Sequence, residues 1–526
     1  MLRKILKFLC VLIIIVVGAL AFLRWKIDAE PIAAPPLRMS TEGVDLAATI
    51  DPNFMPKTLP PTGEPQHPSM AVNDSSVMHS GGWETDTHPA AGIFTDSPVI
   101  KTRRVGGLAA RQCATFTFTS QGHPVLLCGG FTSFQLQLFD PDTLDRLAKF
   151  DLPMRPSGIE AIVKRDPEII FLDTSSAYVY LDNEDRIVIG DSKQRIRRIG
   201  PVESDGQWEF KEFDSWDMNA YIPNDCFSLT NQNPDGECDA LTTVMPDHSG
   251  VLWWVTRKGR IGSLDPKTGK VVATDFGGEE IQNSFAIAKS GAYVVTDHAM
   301  YRLELDDGMP TQRWRLEYDR GTGRKVGSIN QGSGTSPTIL GGGKYVTWTD
   351  NADDKIAIIV AHTEGVPEGQ TRQICRVPVF KSKGSATDNS MVAYDRSVIL
   401  ENNHGFTNAL QHKDYSSVTG GVVRVEVRED ESGCDIVWES DLKVPSVVPK
   451  MSLGNGIVYF YSFDLLENGD RLWALVGLDF ETGKEVVRIP TGTGVAFNNN
   501  WASIAIAPNG DTYVGTREGF LKIENK

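Results

Sequence analysis

The chain has 526 residues, with 52 Lys or Arg and 68 Asp or Glu, so its formal net charge is 52 − 68 = −16. This acidic balance argues against a nucleic-acid-binding protein, which needs a basic surface for phosphates, and against attraction to an anionic membrane surface. A composition of 40% hydrophobic and 23% charged residues is typical of a folded globular protein and excludes disorder over most of the chain.

The N-terminus carries an apolar segment, residues 5–23, whose only charged residue is Lys7. At about 1.5 Å per residue, a helix of this length nearly spans a hydrocarbon core of about 30 Å. The basic residues Arg3 and Lys4 favour a cytoplasmic N-terminus. We therefore predict a transmembrane signal anchor at residues 1–26, with the rest of the chain in the periplasm or outside the cell. Because Ala19-Leu20-Ala21 resembles a cleavage site, a removed signal peptide is the alternative.

Residues 27–96 form a proline-rich segment, with nine prolines between Pro31 and Pro68. Proline fixes φ and lacks a donor, so helix and central strand are both disfavoured here. The composition predicts a semi-rigid tether. An extended arm wrapped on the folded domain is the alternative, and Trp83 and Phe94 indicate that residues 78–98 do pack on that domain.

From about Lys101 onward, short runs rich in β-branched and aromatic residues alternate with Gly, Asn, Asp and Pro, which is typical of strands and turns. One turn recurs, at residues 138–143, 264–270 and 478–484. Each copy has an apolar residue, an Asp, two variable residues and a Thr, and two copies continue with Gly-Lys. Asp and Thr bond to turn backbone and Gly supplies positive φ, so these turns indicate a repeated hairpin.

The chain divides into eight such units, of which the last ends one strand short. Residues 97–105 precede the first unit and would supply the missing outer strand, because closing a ring with both termini removes exposed sheet edges. The sequence therefore predicts an all-β protein, a β-propeller over residues 97–526 with eight four-stranded blades. Seven blades remain the alternative, because the second unit, which begins at Glu160, is irregular.

The repeated Asp-x-x-Thr-Gly-Lys turn followed by a strand resembles the repeat of quinoprotein-like (PQQ-repeat) β-propellers. That resemblance implies either enzymes that bind pyrroloquinoline quinone and Ca²⁺ or non-enzymatic assembly factors. The chain lacks the Trp that commonly follows the turn and has no vicinal Cys-Cys pair, which argues against the quinone. The chain is also similar to calcium-dependent propeller lactonases and strictosidine-synthase-like proteins, and this likeness implies a central Ca²⁺ held by Asn, Asp and Glu.

Six cysteines remain when Cys10 of the apolar segment is set aside, and an even number outside the cytoplasm is compatible with full pairing. Cys226 and Cys238 bracket a loop containing Asn-Pro-Asp-Gly, and Cys113 and Cys128 flank the first hairpin. Cys375 and Cys434 then pair by elimination. Free buried thiols are the alternative.

Polar clusters interrupt apolar strands in units five and six, and their oxygens are the ligands that a hard cation prefers. The candidate Ca²⁺ ligands are Asp350, Asn351, Asn389, Glu401 and Asn402. Ordinary turn capping is the alternative for these residues. His404 is a candidate general base, because its pKa lies near neutrality and Glu401 is close in sequence.

These features predict a membrane-anchored binding or assembly module that presents its propeller face to a protein partner or a small molecule. A calcium-dependent hydrolase or lactonase with its site in the axial funnel is the alternative, and a quinoprotein oxidoreductase is the third candidate. The sequence does not decide whether the protein is an enzyme.

Overall fold

The computed structural model of the protein describes residue 18 and residues 30–72, 75–131, 133–289, 291–381 and 384–525. The predicted anchor at residues 1–26 lies outside these residues except for Gly18. Within the described part of the chain, no helix has the length and apolar character needed to cross a membrane.

Eight antiparallel sheets form a β-propeller, as the repeated strand pattern predicted, and the seven-bladed alternative is wrong. Two arm strands and one closing strand come first: β1 (Thr49–Ile50), β2 (Thr87–His88) and β3 (Val99–Arg104). Blades 1 to 4 follow: β4 (Gln112–Phe118), β5 (Pro124–Gly129), β6 (Ser133–Phe139), β7 (Arg146–Met154); β8 (Tyr180–Leu181), β9 (Ile187–Gly190), β10 (Arg195–Ser204), β11 (Gln207–Asp217); β12 (Leu241–Pro246), β13 (Leu252–Thr256), β14 (Arg260–Leu264), β15 (Val271–Asp275); β16 (Ala286–Ala288), β17 (Gly291–Val295), β18 (Ala299–Asp306), β19 (Met309–Glu317).

Blades 5 to 8 complete the ring: β20 (Thr338–Leu340), β21 (Tyr345–Thr349), β22 (Ala357–His362), β23 (Gln373–Pro378); β24 (Val392–Tyr394), β25 (Ser397–Glu401), β26 (Val422–Val427), β27 (Cys434–Ser440); β28 (Lys450–Ser452), β29 (Ile457–Leu465), β30 (Arg471–Asp479), β31 (Glu485–Thr493); β32 (Ile504–Ile506), β33 (Thr512–Thr516), β34 (Gly519–Glu524). In each blade the first strand lies nearest the axis. The core consists of apolar side chains buried within and between the blades.

The two ends of the chain close the ring within blade 8. Strand β3 is the outermost strand of that blade and pairs antiparallel with β34, from Val99 opposite Glu524 to Arg104 opposite Gly519. This is the strand that residues 97–105 were expected to supply. The first and last parts of the propeller therefore share one hydrogen-bonded sheet.

Residues 160–174 do not form strands, which corrects the predicted start of the second unit. They belong to two short helices between blades 1 and 2, α1 (Pro156–Lys164) and α2 (Glu168–Phe171). Pro156 is tolerated in the first helical turn because no intrahelical donor is needed there. Ile162 and Val163 belong to the apolar run from Glu160 that the sequence predicts as a strand, but with Ile159 they have helical spacing and lie in α1.

The repeated turn joins the third and fourth strands in blades 1, 3 and 7. The Thr268 hydroxyl donates to the Asp265 carboxylate over 2.7 Å, and Thr143 donates to Asp140 over 3.1 Å. Gly269 and Gly483 have φ values of 71° and 69°, a conformation that favours glycine. The turn therefore holds its shape by the side-chain bonds that its sequence predicted.

The three predicted disulfides are confirmed. Cys113–Cys128 joins the two inner strands of blade 1, and Cys226–Cys238 closes a loop between blades 2 and 3. Cys375–Cys434 joins the outermost strands of blades 5 and 6. Only this third bridge links two neighbouring blades among the described residues.

The proline-rich segment lies along the propeller, as in the wrapped-arm alternative. Glu30 forms ion pairs with Arg103 at 3.2 Å and Arg146 at 3.1 Å, at the junction of blades 8 and 1. Strand β1 pairs with the outer strand β31 of blade 7, and the amide of Leu59 donates to a carbonyl of the same blade. The segment therefore contacts several blades before it reaches the axis.

Candidate functional site

The face of the propeller on which the inner strands begin carries a large cavity, here called the funnel. In an antiparallel blade, the loop before the first strand and the loop between the second and third strands lie on this same face. The cavity has a volume of about 210 Å³. Its aromatic lining comes from several blades and from α2: Phe131, Phe134, Phe171, Tyr178 and Trp501.

The N-terminal arm closes the other end of the axial channel. Its backbone carbonyls accept hydrogen bonds from inner strands of four blades: Gly82 from Ile287, Trp83 from Ile339, Thr85 from Ala393 and Asp86 from Met451, over 2.7 to 2.9 Å. Met78 and His79 of the same arm line the bottom of the funnel. The channel is therefore a cavity with one open end.

Buried charged residues hold the arm against blade 7. The Lys450 ammonium donates to the Asp86 carboxylate over 2.7 Å and also to the carbonyl of Met78 over 3.0 Å. The other Asp86 oxygen lies 3.1 Å from Nδ1 of His79, whose Nε2 lies 3.6 Å from Glu84. All four ionisable side chains are almost completely buried.

The pKa values in this cluster shift in opposite directions. Burial raises the pKa of Glu84 to about 8, because desolvation outweighs the attraction of His79. Lys450 and His79 lower the pKa of Asp86 against the effect of burial. Asp86 and Glu84 raise the pKa of His79, although burial acts in the opposite direction. Asp86 therefore carries the negative charge that compensates the buried cations.

Arg155 forms part of the funnel wall at the end of blade 1. Its guanidinium carbon lies 4.4 Å from the centre of the Phe134 ring, within the range of a cation–π contact. Its Nη1 lies 3.6 Å from the Asp173 carboxylate. Asp173 also accepts a hydrogen bond from the amide of Ser175. The charge of Arg155 is therefore matched by an acidic neighbour.

Arg517 lines the funnel wall at blade 8, which neighbours blade 1, in the turn between β33 and β34. Its guanidinium forms neither a hydrogen bond nor an ion pair with the described residues, and its side chain is half-buried. Burial lowers the pKa of Arg517, and Glu518 only partly offsets this effect. The adjacent carboxylate of Glu518 is directed to Arg104, 3.2 Å away.

Asp388 and Tyr178 contribute a carboxyl group and a phenol group to the funnel lining. One carboxyl oxygen of Asp388 is buried without a hydrogen-bond partner among the described residues. Burial raises the pKa of Asp388 well above its ordinary value, which favours the protonated form. Burial also raises the pKa of Tyr178. Both groups therefore favour the uncharged state in this cavity.

The funnel wall includes two residues in the left-handed region. Asn500 and Trp501 have φ values of 49° and 62°, which is unusual for a bulky aromatic residue. The Asn500 side chain is fixed by two contacts, because its Oδ1 accepts from the amide of Ala409 and its Nδ2 donates to Gln112. The amide of Trp501 donates to the Ser446 hydroxyl over 3.2 Å, and backbone strain of this kind is often found at binding sites.

Two of the predicted calcium ligands lie together. The Asn389 side-chain amide donates to Glu401 over 2.7 Å, and the same carboxylate oxygen accepts from the amide of Val447 over 3.2 Å. The other oxygens of both side chains, Oδ1 of Asn389 and Oε2 of Glu401, are buried without hydrogen-bond partners among the described residues. Burial raises the pKa of Glu401 to about 8.

The other three predicted ligands bond elsewhere. Asp350 accepts from the amide of Ala357 over 2.7 Å and from Nε of Arg376 over 2.7 Å. The amides of Asn351 and Asn402 donate to backbone carbonyls in their own neighbourhoods. These are turn-capping contacts, and the described part of the chain has no cluster of three His, Cys, Asp or Glu side chains able to hold a metal.

His404 lies outside the funnel lining. Its Nδ1 is 2.9 Å from the Thr419 hydroxyl, and burial lowers its pKa. No hydrogen bond or ion pair joins His404 to Glu401 within the described residues. The catalytic role predicted for this histidine stays a prediction.

Most of the residues that line the funnel were not predicted from the sequence. A signal for Arg517 does exist, because Thr516-Arg517-Glu-Gly repeats the Thr256-Arg257-Lys-Gly turn of blade 3. The axial cluster around Lys450 had no comparable signal. Lys450 lies 364 residues from Asp86 in the sequence, and the two meet only because the arm enters the axis.

Comparisons with known proteins support the fold. No protein-family model matches the sequence. A protein from Archaeoglobus fulgidus described as uncharacterized is 26% identical over 318 residues, which cover 55% of this chain and 61% of the relative. The chain thus matches less than two thirds of the relative's length.

Two solved structures have a similar architecture. Quinohemoprotein alcohol dehydrogenase from Comamonas testosteroni has a TM-score of 0.52 and 11% identity, with 87% of this chain and 80% of that chain covered. BamB from Moraxella catarrhalis has a TM-score of 0.46 and 11% identity, with 81% of this chain and 97% of that chain covered. At 11% identity the likeness to the dehydrogenase is one of fold, and the eight sheets define the protein as an eight-bladed β-propeller. The predicted similarity to calcium-dependent lactonases stays a prediction.

Proposed function

We propose that the protein is a membrane-anchored, extracytoplasmic binding module whose funnel takes an apolar group of a small molecule or of a protein partner. The single observation that carries this proposal is the one-ended funnel with its aromatic lining. Binding sites are typically concave and mostly apolar, with a few polar groups that orient the ligand. Three disulfides support an oxidising compartment.

The N-terminal arm supports a binding role, because it forms a fixed floor for the funnel. Its carbonyl bonds to four blades and the Lys450–Asp86 pair fix the position of the cavity floor. A preformed cavity loses less conformational entropy when a ligand enters. Phe131 is 46% exposed at the rim and provides an apolar contact for an incoming group.

The proposal is tested with the full-length chain in detergent and a neutral aromatic probe, 1-naphthaleneacetamide. Isothermal titration calorimetry should detect saturable binding at one site. Ala177 lines the funnel, so Ala177→Phe should fill part of the space and weaken binding about tenfold. Ala177→Ser keeps the volume and should bind normally. Absence of saturable binding, or equal binding by both variants, would overturn the proposal.

A calcium-dependent hydrolase is the second candidate, and the Asn389–Glu401 pair favours it. Asn389 lines the funnel and donates to Glu401, and each side chain has an oxygen without a hydrogen-bond partner among the described residues. Such oxygens suit a hard cation. Excess Ca²⁺ after EDTA treatment should then raise the thermal midpoint of the wild type but not of Glu401→Gln. Asp350→Asn serves as the control, and identical midpoints with and without Ca²⁺ would contradict this candidate.

A further inference from the structure

We propose that the funnel selects ligands that carry an anionic group, a carboxylate or a phosphate, on an aromatic body, and that Arg517 binds this group. The inference rests on the proposed binding function and adds the chemistry of the ligand to it. It is carried by the position of one unpaired guanidinium in the cavity wall.

Arg517 is unpaired although acidic residues outnumber basic ones in this chain, 68 to 52. The acidic residue next to it, Glu518, is engaged by Arg104. The corresponding arginine of blade 3, Arg257, donates to the carbonyl of Leu172 just after α2. This turn therefore occurs in two blades. In blade 3 its arginine has a structural partner, and in blade 8 its arginine faces the cavity without one.

Hydrogen bonds fix the backbone at Arg517. Its amide donates to the carbonyl of Asn498 over 2.7 Å, and the next carbonyl, of Glu518, accepts from the amide of Val105 over 2.9 Å. The turn is thus tied to its neighbours on both sides. From this fixed backbone, a guanidinium offers a planar fork of donors that matches a carboxylate or a phosphate.

The other charged groups of the lining do not cancel Arg517. Asp173 is matched by Arg155, and the carboxyl of Asp388 favours its neutral form because it is buried. His79 at the floor is matched by Asp86. One positive charge therefore remains in a cavity whose lining includes five aromatic side chains, and an aromatic anion complements both features.

The test compares two probes of the same shape, 1-naphthaleneacetate and its neutral amide, on the full-length chain in detergent. Isothermal titration calorimetry should show that the wild type binds the acetate at least tenfold more tightly, a difference of about 1.4 kcal/mol. Arg517→Gln should bind both probes equally. Arg428→Gln changes the net charge by the same amount in the exposed turn between β26 and β27 and should keep the preference for the anion.

Three results would be decisive. Equal binding of acetate and amide by the wild type would overturn the anion selectivity and leave the binding function standing. Failure of both probes to bind would overturn the binding function and this inference with it. A preference that survives in Arg517→Gln would exclude Arg517 as the anion-binding residue.

Two further measurements complete the test. If Arg517→Gln does not fold, the salt dependence of the wild type replaces it, since added salt should weaken acetate binding and leave amide binding unchanged. Salt-independent acetate binding would overturn the inference. 1-Naphthyl phosphate distinguishes the source of the charge, because tighter binding than the acetate indicates a phosphate ligand and weaker binding indicates a carboxylate.

Discussion

Several ionisable side chains at the propeller axis are almost completely buried. Asp86 accepts from Lys450 and Ser390 and contacts His79, so one carboxylate satisfies three polar side chains. A buried ion pair contributes little net stability compared with apolar packing, but removing one partner leaves an uncompensated charge. This carboxylate therefore fixes the position of the arm. Replacing it should lower the stability by more than the net contribution of its ion pairs.

Replacing Asp86 by Asn should strongly destabilise the protein. The substitution keeps the size of the side chain but leaves Lys450 buried without its counter-ion. We expect a loss of about 3–5 kcal/mol in the free energy of unfolding, measured by urea denaturation. Asp435→Asn breaks an exposed pair with Arg428 and should cost less than about 1 kcal/mol. A similar loss in both variants would contradict the role of Asp86.

The Glu401 carboxyl should make stability depend on pH. Its pKa rises from 4.5 to about 8 in the folded protein because burial disfavours the charged form. The folded state therefore binds more protons than the unfolded state between these values, so the contribution of Glu401 to stability is fully present below pH 4.5 and is lost as the pH rises through about 8. Glu84 has a similar shift and contributes to the same fall.

Replacing Glu401 by Gln should remove part of this pH dependence. The variant keeps a carbonyl oxygen to accept from Asn389, Asn403 and Val447 but cannot ionise. Relative to the wild type, it should gain about 2 kcal/mol or more between pH 5 and pH 9. Urea unfolding at several pH values, with EDTA present, measures this difference. Parallel curves for the two proteins would show that Glu401 does not titrate in this range.

At the scale of elements, strands and turns were predictable because their signals are local. Alternating apolar residues and the Asp-x-x-Thr turn determine a hairpin without reference to the rest of the chain. Helix α1 was missed because Ile159, Ile162 and Val163 fit a short apolar run as well as a helical face. The pairing of β3 with β34 was predictable because the final unit lacked one strand.

The candidate site was less predictable because its residues come from distant elements. Of the five predicted calcium ligands, only Asn389 and Glu401 came together, since polar residues at strand ends also cap turns. Whether a residue such as Asp350 caps a turn or faces the axis depends on its blade's orientation. The arm's entry into the axis, and with it the position of Lys450 against Asp86, has no local pattern.

The disulfides between elements should differ in their effect on stability. Cys375–Cys434 joins two blades and closes 59 residues, whereas Cys226–Cys238 closes 12. A disulfide stabilises the fold by restricting the unfolded chain. Replacing Cys375 and Cys434 by Ser should therefore lower the free energy of unfolding by about 4 kcal/mol, and replacing Cys226 and Cys238 should lower it by about 3 kcal/mol. Urea unfolding of both double variants measures the difference. A larger loss for the shorter loop would show that local strain or packing dominates.

At the scale of the whole molecule, the ring has no free sheet edge at its seam. Strand β3 completes blade 8 before the chain enters blade 1, so the outer edge of β34 is covered. The arm adds a second connection, because residues 82–86 bond to inner strands of four blades. Contacts between residues far apart in the sequence therefore dominate the fold, and we expect the propeller to unfold as one unit.

Phe520 provides a test of this cooperativity, because it packs at the seam between blades 8 and 1. Its ring lies 5.9 Å from Phe116 and 5.0 Å from Phe139, centre to centre, and it is fully buried. Phe520→Ala should therefore cost about 3–5 kcal/mol. Ile436→Ala, on an outer strand where the side chain is 45% exposed, should cost less than about 1 kcal/mol. If closure couples all blades, circular dichroism and tryptophan fluorescence of Phe520→Ala will show one coincident urea transition at a lower midpoint than in the wild type. Two separated transitions would mean that blade 8 opens independently of the ring.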